Sequence, residues 1–303
     1  MKIGWIGIGR MGFEMAARLA RGGADITVWN RTRSKAEPLA QYGAKIADNL
    51  VDLASCDIVF VMVSTYDDVR EVLVSAGGLL SGARTPRMVI ECSSISIEGS
   101  GQLRGILRSR GVEMLAAPVS GNAKVIKAGR LSFVCSGPKA AFDAALPYLK
   151  LIGPSASYVG EGELARIVKI CHNVYLGVVI QSLAEITILA QKAGVPRHAF
   201  LEFMNQSVMG STFSRYKTPA LVNLDFKVTF TPKLLRKDLD LGLDAAKRYE
   251  VPMPLASITR DIVQTLIGQG MDDEDFAKLI VLQAKASGLT LESENVAVGD
   301  GLA

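Results

Sequence analysis

The feature that most constrains this chain lies in its first twelve residues. An apolar run from Lys2 to Ile8 (KIGWIGI) merges into Gly7-Ile8-Gly9-Arg10-Met11-Gly12, and a stretch with Met11, Met15 and Leu19 on one helical face follows. A short, wholly apolar run reads as a strand buried on both faces, the position of a strand in a parallel sheet covered by helices. Glycines at this spacing permit a tight turn, close approach of a pyrophosphate and close packing of helix on strand. The helix N-terminus adds N–H donors and the positive end of its dipole. An isolated GxGxxG is only a glycine-rich turn; between a strand and a helix it reads as a dinucleotide loop, with Gly7, Gly9, Arg10, Met11 and Gly12 as its residues.

Strand-like runs recur at Asp25–Trp29, Ile58–Val63, Arg87–Glu91, Val112–Ala116 and Leu131–Cys135, with helical or turn segments at 66–74, 96–109 and 138–149 between them. Strands alternating with helices predict an α/β domain, a Rossmann-type doubly wound parallel sheet. Glycines and a proline (Gly153-Pro154, Gly160-Glu161-Gly162) punctuate its end. From Glu163 the period changes to 3.6. Leu164–Ala193 reads as one long helix of about thirty residues, roughly 45 Å at 1.5 Å per residue, stopped by Gly194 and Pro196. Helical patterns follow at 196–205, 232–249, 254–268 and 274–286, and the stretch from Gly288 reads as a loose tail. The expected organisation is a nucleotide-binding domain over 1–161, a connecting helix over 162–193, an all-helical domain over 194–290 and a tail over 291–303.

Composition narrows the function. At 303 residues the chain has the length of two domains, and 49% hydrophobic with 21% charged residues is globular composition. The 34 basic and 30 acidic residues form no basic block, so no nucleic-acid partner is expected. Two histidines and four scattered cysteines (Cys56, Cys92, Cys135, Cys171) offer no metal-ligand spacing. Isolated thiols and the absence of a signal peptide lead us to expect a cytoplasmic protein. Arg166, Lys169, His172, Asn173 and Glu185 interrupt the most apolar stretch and argue against a membrane span.

The end of the second strand discriminates between nicotinamide cofactors. A carboxylate about twenty residues after the glycines would hold a ribose 2′-hydroxyl, whereas an arginine suits a 2′-phosphate. Here the residues are Asn30-Arg31-Thr32, without an acid. Arg31 can fork onto a phosphate while Asn30 and Thr32 add uncharged hydrogen bonds. The expected cofactor is NADP, with NAD as a possible second. Further along, Lys169 and Asn173 share one face of the long helix, four residues apart, and both are costly to bury unless partnered. A snorkelling lysine and a satisfied core amide would explain them equally well. His172, without a carboxylate partner in sequence, reads as structural. Pro118-Val119-Ser120-Gly121-Asn122 follows a strand at the carboxyl edge of the sheet; it is either an ordinary turn or a set of donors for a carboxylate.

Taken in order, GIGRMG, PVSG, KxxxN and the later Lys237-Asp238 pair resemble the β-hydroxyacid dehydrogenases, over about residues 1–290. That family includes 3-hydroxyisobutyrate dehydrogenase, tartronate semialdehyde reductase and the glyoxylate/succinic semialdehyde reductases. The resemblance implies roles that the residues alone do not. It makes Lys169 the acid/base and Asn173 its partner, and assigns Ser120, Gly121 and Asn122 to a substrate carboxylate. It places Val63, Ser64, Ser94 and Lys237 at the cofactor and Phe230 at the substrate, and it implies a homodimer or homotetramer. The family's acidic residue before its Ala-Pro-Val-Ser-Gly-Gly stretch is Ala116 here, and its second glycine is Asn122, so the substrate is not carried over.

The reaction implied is hydride transfer between a nicotinamide and a small carboxylated 3-hydroxy acid or its semialdehyde. Two other readings share the scaffold: imine reduction, against which Lys169 and Asn173 argue, and a non-catalytic NADP-binding interaction protein.

Overall fold

Strand β1 (Lys2–Ile6) is buried from Ile3 onward. The computed structural model describes residues 1–302. Helix α1 (Arg10–Arg21) follows β1, then β2 (Asp25–Trp29), β3 (Lys45–Ile46), β4 (Ile58–Val61), α2 (Tyr66–Val74), β5 (Met88–Glu91), α3 (Ile97–Ser109) and β6 (Glu113–Ala116). The six strands form one parallel sheet in the order β3-β2-β1-β4-β5-β6, so the strand order reverses beside β1. Alternation within the apolar runs explains the double burial. Ile3, Trp5, Ile58, Phe60, Met88 and Ile90 enter one core, and Ile6, Val59, Val61 and Val89 enter the other. Trp5 stacks on Phe60 with ring centroids 5.2 Å apart.

Val119–Ser120, read from sequence as a turn, is a short strand, β7. It is followed by α4 (Ala123–Lys127), β8 (Ser132–Cys135), α5 (Lys139–Ile152) and β9 (Ser155–Tyr158). β8 does not extend the parallel sheet as expected. It pairs antiparallel with β7 and parallel with β9 in a separate three-stranded sheet. The strands β3, β7 and β9 are too short or too polar to show an apolar period, which is why the sequence did not reveal them.

All regular structure from α6 (Leu164–Lys192) onward is helical among the described residues: α7 (Arg197–Gln206), α8 (Thr212–Asn223), α9 (Pro232–Arg248), α10 (Pro254–Gly268) and α11 (Leu279–Ala286). Helix α8 was not expected; Pro219 inside it and a weakly apolar pattern hide its period. By length and composition α6 could cross a membrane, with a mean hydropathy of 1.5 over its most apolar window. Half of that window is buried in protein, and Arg166 and Asn173 are buried in polar networks, as in a core helix.

The chain forms two compact units, Met1–Lys169 and a second beginning at Ile170, divided within α6. The expected loose tail is held to the second unit. Glu294 accepts from the backbone N–H groups of Arg197 (2.7 Å) and His198 (2.9 Å), supplying the cap that Pro196 cannot give α7. Asn223 donates to the Val296 carbonyl at 2.7 Å. Ala303, the last residue of the tail, lies outside the described residues.

Candidate active site

At the carboxyl ends of β1, β2 and β4 lies a cleft of about 560 Å³, within the range of roughly 300–1,000 Å³ usual for ligand sites. Its walls bring together Gly7, Gly9, Arg10, Met11, Gly12, Asn30, Arg31, Thr32, Val63 and Ser64. The three glycines are there for different reasons. Gly7 has φ +96°, and a Cβ there would sit 2.2 Å from the Met62 carbonyl oxygen. A Cβ on Gly12 would lie 2.0 Å from the Gly7 oxygen, so helix and strand could not approach. Gly9 is not required by the fold: its φ is −81° and a Cβ would meet nothing within 4 Å. Its bare backbone instead leaves the cleft open to whatever lies against the loop. Helix α1 starts here without a side-chain cap and without an acid in its first turn. Its end is therefore suited to a phosphate. These observations fit a dinucleotide.

Two braces hold the loop. Trp5 Nε1 donates to the Gly7 oxygen at 3.0 Å. Asn30 Oδ1 accepts from Ile8 N–H at 2.9 Å while its Nδ2 donates to the Thr32 oxygen at 2.8 Å. The Asn30 amide, expected to contact the phosphate, also ties the glycine loop to the end of β2. Arg31 is exposed at the mouth, 3.6 Å from Glu71. Lys35 also lines the cleft, brought back by a 3₁₀ turn over Arg33–Lys35, whereas Arg33 turns away to Asp48. The basic run RTRSK contained this second cation, but only the turn shows which members face the cleft.

Ser94 does not line the cleft; it follows Ser93, which does the connecting. Ser93 Oγ accepts from Val63 N–H at 3.0 Å, and Ser93 N–H donates to Glu91 Oε1 at 2.7 Å. Glu91, fully buried at the end of β5, pairs with Arg166, whose Nη1 donates to the Ser93 oxygen at 2.6 Å and whose Nε donates to Ser100 Oγ at 3.0 Å. Sequence reasoning missed this group. Its signal was a glutamate closing the apolar run Met88-Val89-Ile90.

Ser120 ends β7, and Gly121, at φ +140°, turns the chain where a Cβ would meet Val125 Cγ1 at 2.9 Å. Asn122 Oδ1 accepts from Val125 N–H at 3.1 Å and so caps α4. The departure from the family's second glycine thus has a local helical cause.

In the second unit, Asn173 is buried and donates through Nδ2 to Asp238 Oδ2 at 2.6 Å. His172 Nδ1 lies 2.9 Å from Asn173 Oδ1, so that nitrogen carries the proton and fixes the amide plane. Lys237 Nζ is 3.2 Å from Asp238 Oδ1. Close packing of α9 on α6 permits the chain of contacts: a Cβ on Gly242 would collide with Val174 Cγ2 at 2.2 Å. His172 and Asp238 thus share one hydrogen-bonded group with Asn173, a group that the sequence pattern did not join. Phe230 packs edge-on to Phe276, with centroids 5.7 Å apart, in a loop anchored by the buried Lys217–Asp275 pair. Lys169 is partly buried one turn before Asn173 on α6, at the end of the first unit. Among the described residues no cluster of ligands for a metal exists.

A parallel sheet with a bare glycine loop at its reversal point, followed by a helical unit, is the architecture of a dinucleotide-binding protein. The model of the NAD-binding domain of 6-phosphogluconate dehydrogenase matches residues 2–160, and that of NADP-dependent 3-hydroxyisobutyrate dehydrogenase matches 163–283. Glyoxylate/succinic semialdehyde reductase 2 of Arabidopsis thaliana is 30% identical over 281 residues, 92% of this chain and 78% of that protein. The 2-(hydroxymethyl)glutarate dehydrogenase of Eubacterium barkeri is 28% identical over 96% of this chain and 97% of its own length. The crystal structure of a 3-hydroxyisobutyrate dehydrogenase from Salmonella typhimurium superposes with a TM-score of 0.84 at 26% identity, covering 93% of this chain and 99% of that one. The chain belongs to the β-hydroxyacid dehydrogenase family, and it is an NAD(P)-binding oxidoreductase.

Proposed function

We propose that the protein interconverts a small 3-hydroxy acid and its semialdehyde with NADP(H), NAD serving as a weaker second cofactor. The observation that carries this reading is Asn173, held by His172 and Asp238 one helical turn after Lys169. A buried amide fixed on both sides is a device for orienting a neighbour, and Lys169 is the proton carrier beside it.

When bound, the nicotinamide supplies or accepts the hydride at the carbonyl carbon. In reduction the Lys169 ammonium polarises the carbonyl oxygen and gives it a proton. In oxidation the neutral amine takes that proton from the hydroxyl. Asn173 hydrogen-bonds the same oxygen without adding charge. The Ser120 hydroxyl, the Gly121 N–H and the Asn122 amide hold the substrate carboxylate, and Phe230 shields the reacting carbon from water. Gly7, Gly9, Arg10, Met11 and Gly12 carry the pyrophosphate, Arg31, Thr32 and Lys35 the 2′-phosphate, and Val63, Ser64, Ser94 and Lys237 the nicotinamide half.

In this reading residues 1–161 are the NADP-binding domain, 162–193 the connecting helix, and 194–290 the substrate and oligomerisation domain of a cytoplasmic homodimer or homotetramer. The test follows NADPH absorbance with glyoxylate, succinic, tartronate and methylmalonate semialdehydes, their uncharged aldehyde analogues and a set of ketimines. Turnover confined to the carboxylated aldehydes is expected. Equal turnover of the uncharged aldehydes would remove the carboxylate role, and a preference for ketimines would replace the reaction.

A further inference from the structure

Glu91 and Arg166 are almost completely removed from solvent, at 0% and 1% side-chain exposure. A buried ion pair adds little net stability, because desolvation offsets the attraction, and apolar pairs of similar volume commonly replace it without loss. Its presence calls for another explanation, and the arrangement of its hydrogen bonds supplies one. Glu91 divides its carboxylate between the Ser93 N–H and Arg166. The Arg166 guanidinium reaches Ser93 O, Ser100 Oγ and Glu91 in three directions. Ser93 in turn holds the Val63 N–H on the cofactor cleft. The next residue after Ser93 is Ser94. Three residues after Arg166, close to one turn of the same helix, comes Lys169.

We infer that Glu91 and Arg166 are positioning residues for hydride and proton transfer. They lock the Ser93–Ser94 turn and the first turns of α6 into one rigid piece, all of it inside the first unit. The distance between the nicotinamide side of the site and the helix that carries the proton donor is then set by a planar fork, not by the packing of mobile chains. Arginine is required for this. A lysine ammonium can meet Glu91 but cannot also hold the Ser93 carbonyl and Ser100 in fixed directions. The inference rests on the proposed role of Lys169.

The test compares Arg166→Lys, the double variant Glu91→Met/Arg166→Met and Lys169→Met in the full chain. Measurements are NADPH affinity by fluorescence, kcat and KM with the best aldehyde of the panel, and the pH–rate profile. The double variant leaves no unpaired buried charge and is expected to fold. Both Arg166 variants should bind NADPH within about threefold of wild type and keep KM. Their kcat should fall, by about 10- to 100-fold in the double variant and less in Arg166→Lys, with the ionising limb of the pH profile in place and only the plateau lowered. Wild-type kcat in either variant overturns the inference. So does a loss of NADPH affinity that tracks the loss of kcat, which would make the pair a support of the cleft. Should the double variant fail to fold, Arg166→Lys, which keeps the charge, decides alone. Lys169→Met reports separately. It should abolish the limb itself, and an unchanged profile there defeats the lysine reading, while a lowered plateau in the Arg166 variants would still report on the Ser93–Ser94 turn.

Discussion

The Asn173 amide nitrogen donates to the Asp238 carboxylate across 2.6 Å, and both side chains are buried. Asp238 thereby holds one end of the amide whose other end His172 fixes. Replacing Asp238 with Asn removes the charge-assisted bond at nearly constant volume, and such bonds contribute about 1.5–3 kcal/mol. We expect kcat to fall roughly tenfold or more with little change in NADPH affinity, and His172→Ala to have a smaller effect in the same direction. Equal losses of kcat and cofactor affinity would show that the pair supports the fold only.

Lys169→Met retains the apolar stem and removes the ammonium. Turnover should drop by about 10²–10⁴-fold, the range for a general acid–base residue. Cofactor binding should persist, because the cleft residues lie elsewhere. A folded Lys169→Met protein that turns over near the wild-type rate would make this lysine structural.

At the mouth of the cleft, Arg31→Ala should weaken NADPH by about 1–3 kcal/mol and leave NADH nearly unchanged, with Lys35→Ala giving a smaller loss of the same kind. Titration of both cofactors against each variant decides it. Parallel losses for NADH would mean that these cations do not read the 2′-phosphate.

Two glycines separate fold from binding. Gly9→Ala adds a methyl where nothing lies within 4 Å, so the melting temperature should stay within a degree or two while cofactor affinity falls. Gly12→Ala pushes a methyl to 2.0 Å from a carbonyl oxygen. Overpacking of that kind costs about 1–3 kcal/mol or more, and thermal unfolding should show it without any cofactor present. Identical melting and binding behaviour of the two variants would contradict the distinction.

The tail anchor has a pH signature. Burial raises the Glu294 pKa, but bonds from the His198 N–H and side chain and from the Arg197 N–H outweigh it and hold the carboxyl below its usual range. A carboxyl with a depressed folded pKa stabilises above its unfolded pKa, and that stability is lost as pH falls through the folded value. Glu294→Gln should therefore melt lower than wild type near neutrality, with the gap closing below about pH 4.3. A gap that persists unchanged into acid would show that the bonds do not depend on the charge.

The nucleotide-binding half was legible because its signals are local. The glycine loop, the apolar runs and the missing acid before Arg31 each sit within a few residues of one another. What stayed hidden depends on residues distant in sequence. Glu91 acquires meaning from Arg166, 75 positions later, and Asn173 from Asp238, 65 positions later. Asn122 reads as a donor for substrate, and its oxygen has a second task that the sequence did not announce, capping the helix that begins at the next residue. The tail looked loose because its anchors are the Glu294 carboxylate and the backbone carbonyls of Glu292 and Val296, with little apolar surface to announce them.

The boundary between the units falls inside an unbroken helix, between Lys169 and Ile170. Loops absorb insertions and deletions; a helix converts them into rotation. Adding one residue between Lys169 and Asn173 would turn the helix after it by about 100° and advance it by about 1.5 Å. Lys169 would then no longer share a face with Asn173. Outside Arg166, Lys169, His172 and Asn173, substitutions can drift along this stretch, but its length cannot. In a chain whose relatives have accumulated differences at most positions, this stretch should behave like the teeth of a gear, tolerant of wear between the four working residues and intolerant of a change in number.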